Sequence, residues 1–259
     1  MERLDKVLSN SGYGTRSEVR RLIKIKAVHV DGQVVKDVGM HVDPAINQIL
    51  ISGAPINYRK FIYLMMNKPA GVISATEDKR HETVIDLLAP TYQVFEPFPV
   101  GRLDIDTTGL LILTNDGDFA HNLLSPKKHI PKRYHAKLDA PVGLKEIEIF
   151  KKGATIDFEY KCLPAELILN AKTVGGAAEP AAGAVEPAAG AVEPAAGAAE
   201  SDDVDVIIYE GKFHQVKKMF FSVGREVLSL HRLEVGPYRL PDELLPGEYT
   251  EFEIEHTGK

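Results

Sequence analysis

The chain has 259 residues, 44% of them hydrophobic, a single cysteine and a formal net charge of −6. That is enough to bury a core across two or three structural units, while the lone Cys162 excludes an internal disulfide framework and a multi-cysteine metal cluster, as expected in a reducing compartment. The opening MERLDKVLSN carries charges where a signal peptide has an apolar run, and no stretch approaches the roughly 18 apolar residues of a membrane span, so the expectation is a cytoplasmic chain with no membrane partner.

Charge is distributed unevenly. Residues 1–40 hold eight bases (Arg3, Lys6, Arg16, Arg20, Arg21, Lys24, Lys26, Lys36) against five acids. Within them Leu4, Val7 and Leu8 mark a short amphipathic helix ending near Gly12, and Thr15 with Glu18 forms a capping box opening a second helix on Val19, Leu22 and Ile23. Val28, Val30, Val34 and Val35 flank Asp31-Gly32, a strong hairpin signal. Arg16, Arg20 and Lys24 recur at one-turn spacing, a face suited to RNA phosphates, though an ordinary solvated helix face has the same pattern.

A Pro- and Gly-containing stretch, Asp43 to Asn57, reads as a linker, with a domain boundary near residue 58. Strands are then expected at 61–66, 71–75, 110–114, 133–138, 165–169, 204–209 and 227–234, and helices at 83–88, 118–124 and 213–223. Residues 174–203 repeat PAAGAVE with prolines and glycines in phase, and carry Glu179, Glu186, Glu193, Glu200, Asp202 and Asp203 without a Lys or Arg. Proline at that period rejects a coiled coil, leaving a solvated insertion whose acids account for the whole net charge. The expected class is α+β: a small domain of two helices and a hairpin (1–45), a linker (46–58), and a larger domain (59–259) on a mixed, largely antiparallel sheet.

Three segments carry chemistry. GRLDIDTTGLLILTNDG (101–117) places Asp104 and Asp106 in a glycine-bounded loop at a strand entrance. Calcium fails there, because Asn115 stands where a bidentate Glu belongs and Ile112 takes a ligand position. Two readings remain from the residues themselves: a structural Asp-Thr-Gly turn, or a carboxylate presented as nucleophile or base. KKHIPKRYHAK (127–137) holds five Lys or Arg and no acid, interleaved with His129, Tyr134 and His135. In EGKFHQVKKMF (210–220), Phe213, Val216, Phe220 and Val223 recur at helical spacing and leave His214, Lys217 and Lys218 on the other side. The nine histidines show no ligand spacing that would argue for zinc.

RLDKVL, SGYGTRSEVRRLIK and VHVDGQVV resemble the small RNA-binding domain shared by a small-subunit ribosomal protein and tyrosyl-tRNA synthetase. NKPAGVIS (67–74), GRLDIDTTGLLILTNDG, PKRYHAKL (131–138) and EGKFHQVKKMF, in that order, resemble ribosomal-RNA pseudouridine synthases of the RsuA type over nearly the whole chain. The resemblance implies a cofactor-free isomerisation of uridine with Asp104 as the catalytic carboxylate and Tyr134 as the pocket aromatic. It further implies Lys217, or else Lys218, as the basic partner of Asp104, Leu230 as an apolar wall, and Arg102 as an RNA contact. Lys132, Arg133, His214 and Lys218, with Arg16, Arg20 and Lys24, are the expected RNA surface. Relatives often carry Lys-Arg where this chain has Lys217-Lys218, which removes a bidentate phosphate contact from the second position. IDTTGL and HQVKKMF look most like the branch acting on small-subunit RNA. Large-subunit enzymes share most of these motifs, and a non-catalytic assembly factor would share the fold. The expected partner is ribosomal RNA, bound by a monomer.

Overall fold

The structure, a computed structural model, describes residues 1–56, 58–170 and 200–254, so the acidic repeat lies outside the described residues except for its last four. The chain divides into two compact units, one of Met1–Ile105, Leu111–Asn122 and Leu244–Lys259, the other of Asp106–Leu110 and Leu123–Glu243.

The first unit opens with the helix Leu4–Asn10, burying Leu4, Val7 and Leu8, and the helix Arg16–Lys24, burying Val19 and Ile23. The capping box forms as expected: the Glu18 N–H donates to Thr15 Oγ1 at 3.4 Å, and the Thr15 N–H to Glu18 Oε2 at 2.7 Å. Strands Val28–Val30 and Gln33–Val34 pair through Asp31-Gly32, whose φ angles of +50° and +78° suit the tight turn that strand twist favours. The expected linker is part of this domain. Ile49–Ile51 pairs antiparallel with Val28–Val30, and Ile49 and Ile51 pack in one core with Leu4, Val19 and Val28. The glycine at 53 marks a hairpin turn to Ala54–Pro55, so it punctuates strands rather than separating domains.

Further along the first unit, Tyr63–Lys68 is buried at every position and runs between Tyr249–Glu251 and the C-terminal part of Thr108–Thr114. This burial on both faces explains its continuous apolar run. The expected strand at 71–75 reduces to one bridge, Ile73 with Thr83. The expected helix at 83–88 is a series of turns, because the Asp86 carboxylate accepts from both the N–H and the hydroxyl of Thr83 at 2.8 Å. Only Pro90–Gln93 becomes helical in that region. Helix Gly117–Leu124 starts where the Asp116 carboxylate accepts the Asp118 and Phe119 N–H groups, with the Tyr63 hydroxyl donating to the same side chain at 2.7 Å.

In the second unit Lys132–Gly143 lies antiparallel between Glu200–Ile208 and Val227–Val235, and Glu166–Leu169 lies antiparallel outside Glu200–Ile208. One parallel contact completes a mixed, largely antiparallel arrangement: His231 faces Thr108 and Arg232 faces Gly109. The strand at 204–209 begins earlier than expected. Residues 200–203, read as the end of the insertion, pair with the long strand, Asp203 opposite Lys137 and Ser201 opposite Val142. Helix Leu144–Lys152 was absent from the sequence reading. Its one fully inward residue is Phe150, and its start is fixed by the Glu146 carboxylate accepting the Gly143 N–H, so apolar periodicity gave little sign of it. Helix Gln215–Ser222 buries Val216, Met219 and Phe220, and the Phe220 ring sits 5.0 Å from that of Phe150. Phe213, expected on that inward face, lies before the helix and is 74% exposed; Val223 is the C-cap. Among the described residues, no helix is long and apolar enough to cross a membrane.

Candidate active site

Asp104 sits on a loop of the first unit that is gripped from behind. Lys68 is fully buried, and its ammonium donates to the carbonyls of Pro69 at 3.0 Å, Asp104 at 3.1 Å and Ile105 at 3.4 Å. The Gly71 N–H donates to the same Ile105 carbonyl at 2.8 Å. On the other side of Asp104, Ser74 Oγ donates to the Leu103 carbonyl at 3.1 Å and accepts the Leu103 N–H at 3.0 Å. Asp104 itself is half-buried, between an inward Leu103 and an exposed Ile105. The segment NKPAGVIS therefore works as a cradle for GRLDI: a buried cation, an amide and a hydroxyl hold the backbone on both sides of one carboxylate. A side chain fixed in this way needs no reordering before it acts. Arg102, two residues upstream, is exposed.

The second unit begins at Asp106, and two lysines of helix Gln215–Ser222 meet carboxylates there. Lys217 donates to Asp106 Oδ1 at 2.6 Å, and that hydrogen bond holds the Asp106 carboxyl below its ordinary range. Asp106, the second acid of the loop, is thus one acceptor of Lys217. Lys218 turns to Asp157 at 2.6 Å.

Strand alternation sorts the basic run 127–137. Tyr134, Ala136 and Leu138 are buried on one face, with Lys132 in phase with them. Opposite Tyr134 stands Arg232, and opposite Ala136 stands Leu230, both buried. The Arg232 guanidinium lies 6.0 Å from the Tyr134 ring centroid and donates through Nε to the Leu110 carbonyl at 2.7 Å. Burial, with Arg232 nearby, pushes the Lys132 ammonium below its usual value. One face thus carries an aromatic ring, an aliphatic wall and two cations. Arg133 and His135 point the other way, to Asp205. Arg133 contacts one Asp205 oxygen at 2.9 and 2.6 Å, and His135 Nδ1 lies 3.0 Å from the other. Burial pushes the Asp205 carboxyl up, but the hydrogen bonds from His135, Arg133 and Asn170 outweigh it and hold the group low. Arg133 therefore makes its ion pair on the face away from Tyr134 and stays partly exposed there. His214 caps helix Gln215–Ser222 with its ring stacked on Phe213 at 3.7 Å. Arg16, Arg20 and Lys24 are exposed along one helix face of the first unit.

Gly109 shows why IDTTGL tolerates no side chain at that position. Its φ is +100°, and a Cβ there would meet the Arg232 carbonyl oxygen at 2.3 Å and the Arg232 nitrogen at 2.6 Å. Sequence reasoning passed over Lys68 and Arg232. A lysine two residues after the apolar run Tyr63–Met66, and an arginine in phase with Leu230, are the signals that could have found them.

The comparisons with known proteins identify the family. A family model described as RNA pseudouridylate synthase matches residues 62–222, and an S4 domain model matches residues 2–45. An uncharacterized RNA pseudouridine synthase of Bacillus subtilis is 46% identical over 98% of this chain and 95% of its own length. Ribosomal small subunit pseudouridine synthase A of Escherichia coli is 33% identical over 97% of this chain and 98% of its own. A crystal structure of a pseudouridylate synthase superposes with a TM-score of 0.60 at 28% identity, covering 98% of this chain and 96% of that one. With a family model matching more than half its length, the chain belongs to the RNA pseudouridylate synthases, enzymes that isomerise uridine to pseudouridine in RNA, and it carries an N-terminal S4 domain.

Proposed function

We propose that this enzyme isomerises a uridine of small-subunit ribosomal RNA, with Asp104 as the reacting carboxylate. The observation that carries the assignment is the cradle: Lys68, Gly71 and Ser74 fix the backbone at Leu103, Asp104 and Ile105, which is what a group poised for covalent or proton chemistry requires. The reaction breaks the bond from ribose to the base nitrogen, turns the uracil and rejoins it through ring carbon 5, with the proton lost from that carbon matched by one gained at the freed nitrogen and no net oxidation. A carboxylate serves it either by attacking the anomeric carbon or by removing a ribose proton to form a glycal. Both routes are compatible with the residues present, and neither calls for a cofactor.

The other residues take roles set by their chemistry. Tyr134 offers its ring to the flipped uracil and takes part in the later proton transfer, and Leu230 forms the apolar wall. Lys217 keeps negative charge on the carboxylate loop, a role supported by its ion pair with Asp106. Arg102 contacts RNA as the base is displaced. Arg16, Arg20 and Lys24 of the S4 domain, with Lys132, Arg133, His214 and Lys218, hold the RNA backbone. The enzyme acts as a monomer in the cytoplasm. Small-subunit RNA is favoured by the near full-length match to relatives named for that substrate.

The test is pseudouridine mapping, by carbodiimide labelling and primer extension, on ribosomal RNA from cells lacking the protein and from cells restored with wild type or Asp104→Asn. One small-subunit site lost and regained only with wild type supports the proposal. A lost large-subunit site reassigns the substrate, and persistence of every site overturns the ribosomal assignment.

A further inference from the structure

Phe213 is in the wrong place for a structural phenylalanine. Helical spacing would bury it beside Val216 and Phe220, yet 74% of it is exposed. The displacement comes from the backbone: His214 adopts the left-handed region at φ +53°, where a residue with a side chain pays in strain, and this kink swings Phe213 off the helix face. The ring is then organised rather than left loose. His214 stacks on it at 3.7 Å and 22°, and the Lys218 ammonium lies 5.3 Å from its centroid.

The surroundings repeat the theme. Lys212 lies 4.8 Å over the ring of Tyr160, whose hydroxyl donates to Glu210. Phe158, at the tip of the tight turn between Thr155–Ile156 and Tyr160–Lys161, is fully exposed, and its neighbour Asp157 receives Lys218. Of the three acids of this surface, Asp157 and Glu210 are engaged with Lys218, Tyr160 and Gln215, and Glu159 is exposed between Phe158 and Tyr160. Exposed aromatic faces alternating with lysines match the composition of surfaces that bind unpaired nucleic acid, where rings stack on bases and cations meet phosphates.

We propose that Phe213, supported by His214 and flanked by Lys212 and Lys218, is a stacking platform for an unpaired base of the substrate RNA other than the uridine that reacts. The platform rests on the family's RNA substrate and not on the small-subunit assignment. It explains why strain is tolerated at His214: the kink sets an aromatic face in water at a fixed angle, ready to accept a base without reordering.

The chain has no tryptophan, so Phe213→Trp introduces a single indole at the platform, excited selectively at the long-wavelength edge where the nine tyrosines do not absorb. Titration of that variant with oligouridylate is expected to quench its emission, since a stacked base contacts the indole directly. Phe213→Leu, which keeps bulk but removes the ring, is expected to raise KM for ribosomal RNA from cells lacking the protein by about tenfold. Phe213→Tyr restores KM, and kcat changes little in either variant. Melting curves of the variants matching the parent's show that the exposed position has left the fold intact. The platform is refuted if Phe213→Leu matches the parent in KM, or if oligouridylate leaves the emission of Phe213→Trp unchanged. Should the parent itself form no pseudouridine in that RNA, the ribosomal assignment fails, while the emission titration still decides the platform.

Discussion

Replacing Lys68 with methionine removes the charge at the back of the Asp104 loop and keeps the side chain's length. The ammonium's contacts include two of ordinary hydrogen-bond length, to Pro69 at 3.0 Å and Asp104 at 3.1 Å, and a longer one to Ile105 at 3.4 Å. Counting only the two good ones at about 1.5 to 3 kcal/mol each gives roughly 3 to 6 kcal/mol, because a charged donor is lost and its carbonyls stay behind. Relief from burying an ammonium offsets part of this, so the net expectation is about 3 kcal/mol. That corresponds to a fall in Tm of roughly 6 to 12 °C for a chain of this size. Catalysis should suffer more than folding. The Ile105 carbonyl keeps the Gly71 N–H but the Asp104 carbonyl loses its lysine, and a shift of about 1 Å in a reacting group costs on the order of a hundredfold. The assays are thermal unfolding followed by circular dichroism, and release of tritium from RNA labelled at uracil carbon 5. A Lys68→Met protein that melts with the parent and turns over at the parental rate would refute the cradle.

Gly109→Ala should cost about 3 kcal/mol or more in urea unfolding, since the added methyl meets Arg232 backbone that cannot step aside and φ is +100°; a loss below about 1 kcal/mol contradicts the close approach. Asp106→Asn and Lys217→Met, alone and combined, should show a stability coupling under about 1 kcal/mol, because Asp106 is largely exposed and solvent screens the pair. A coupling above about 2 kcal/mol would mean the pair is buried in solution. For pH, burial depresses His231 below its ordinary 6.5, with His135 adding to the effect. The unfolded chain therefore binds the extra proton first, so stability is full above about pH 6.5 and falls as pH drops through the folded value. Unfolding measured across that range in the parent and in His231→Gln should differ in slope, the variant being flatter; identical slopes contradict the assignment.

Local rules recovered the S4 domain well. The Thr15–Glu18 box, the Asp31-Gly32 turn and the 3.6-residue spacing of apolar side chains each act within a few residues, so the chain states them directly. Failures came where distant partners decide. Ile49 and Ile51 looked like linker because their partner Val28–Val30 is some twenty residues away in sequence, and residues 200–203 looked like repeat because pairing with the long strand, not composition, makes them a strand. At the candidate site, the roles proposed for Asp104 and Tyr134 rest on resemblance, since a lone Asp-Thr-Gly loop is equally a turn. The cradle was not legible at all: that Lys68 reaches the carbonyl of Asp104 depends on a fold that brings residues 36 apart together. Phe213 was misread because helical spacing presumes a regular backbone, and His214 breaks it.

The central claim is that this chain makes pseudouridine through Asp104. The most direct measurement compares purified wild type with Asp104→Asn for tritium release from ribosomal RNA labelled at uracil carbon 5, taken from cells lacking the protein, with melting curves recorded for both. Release by wild type to a stoichiometric end point and none by a variant that melts as the parent does is the predicted result. Equal release by an Asp104→Asn protein would contradict the account and move the chemistry to another residue.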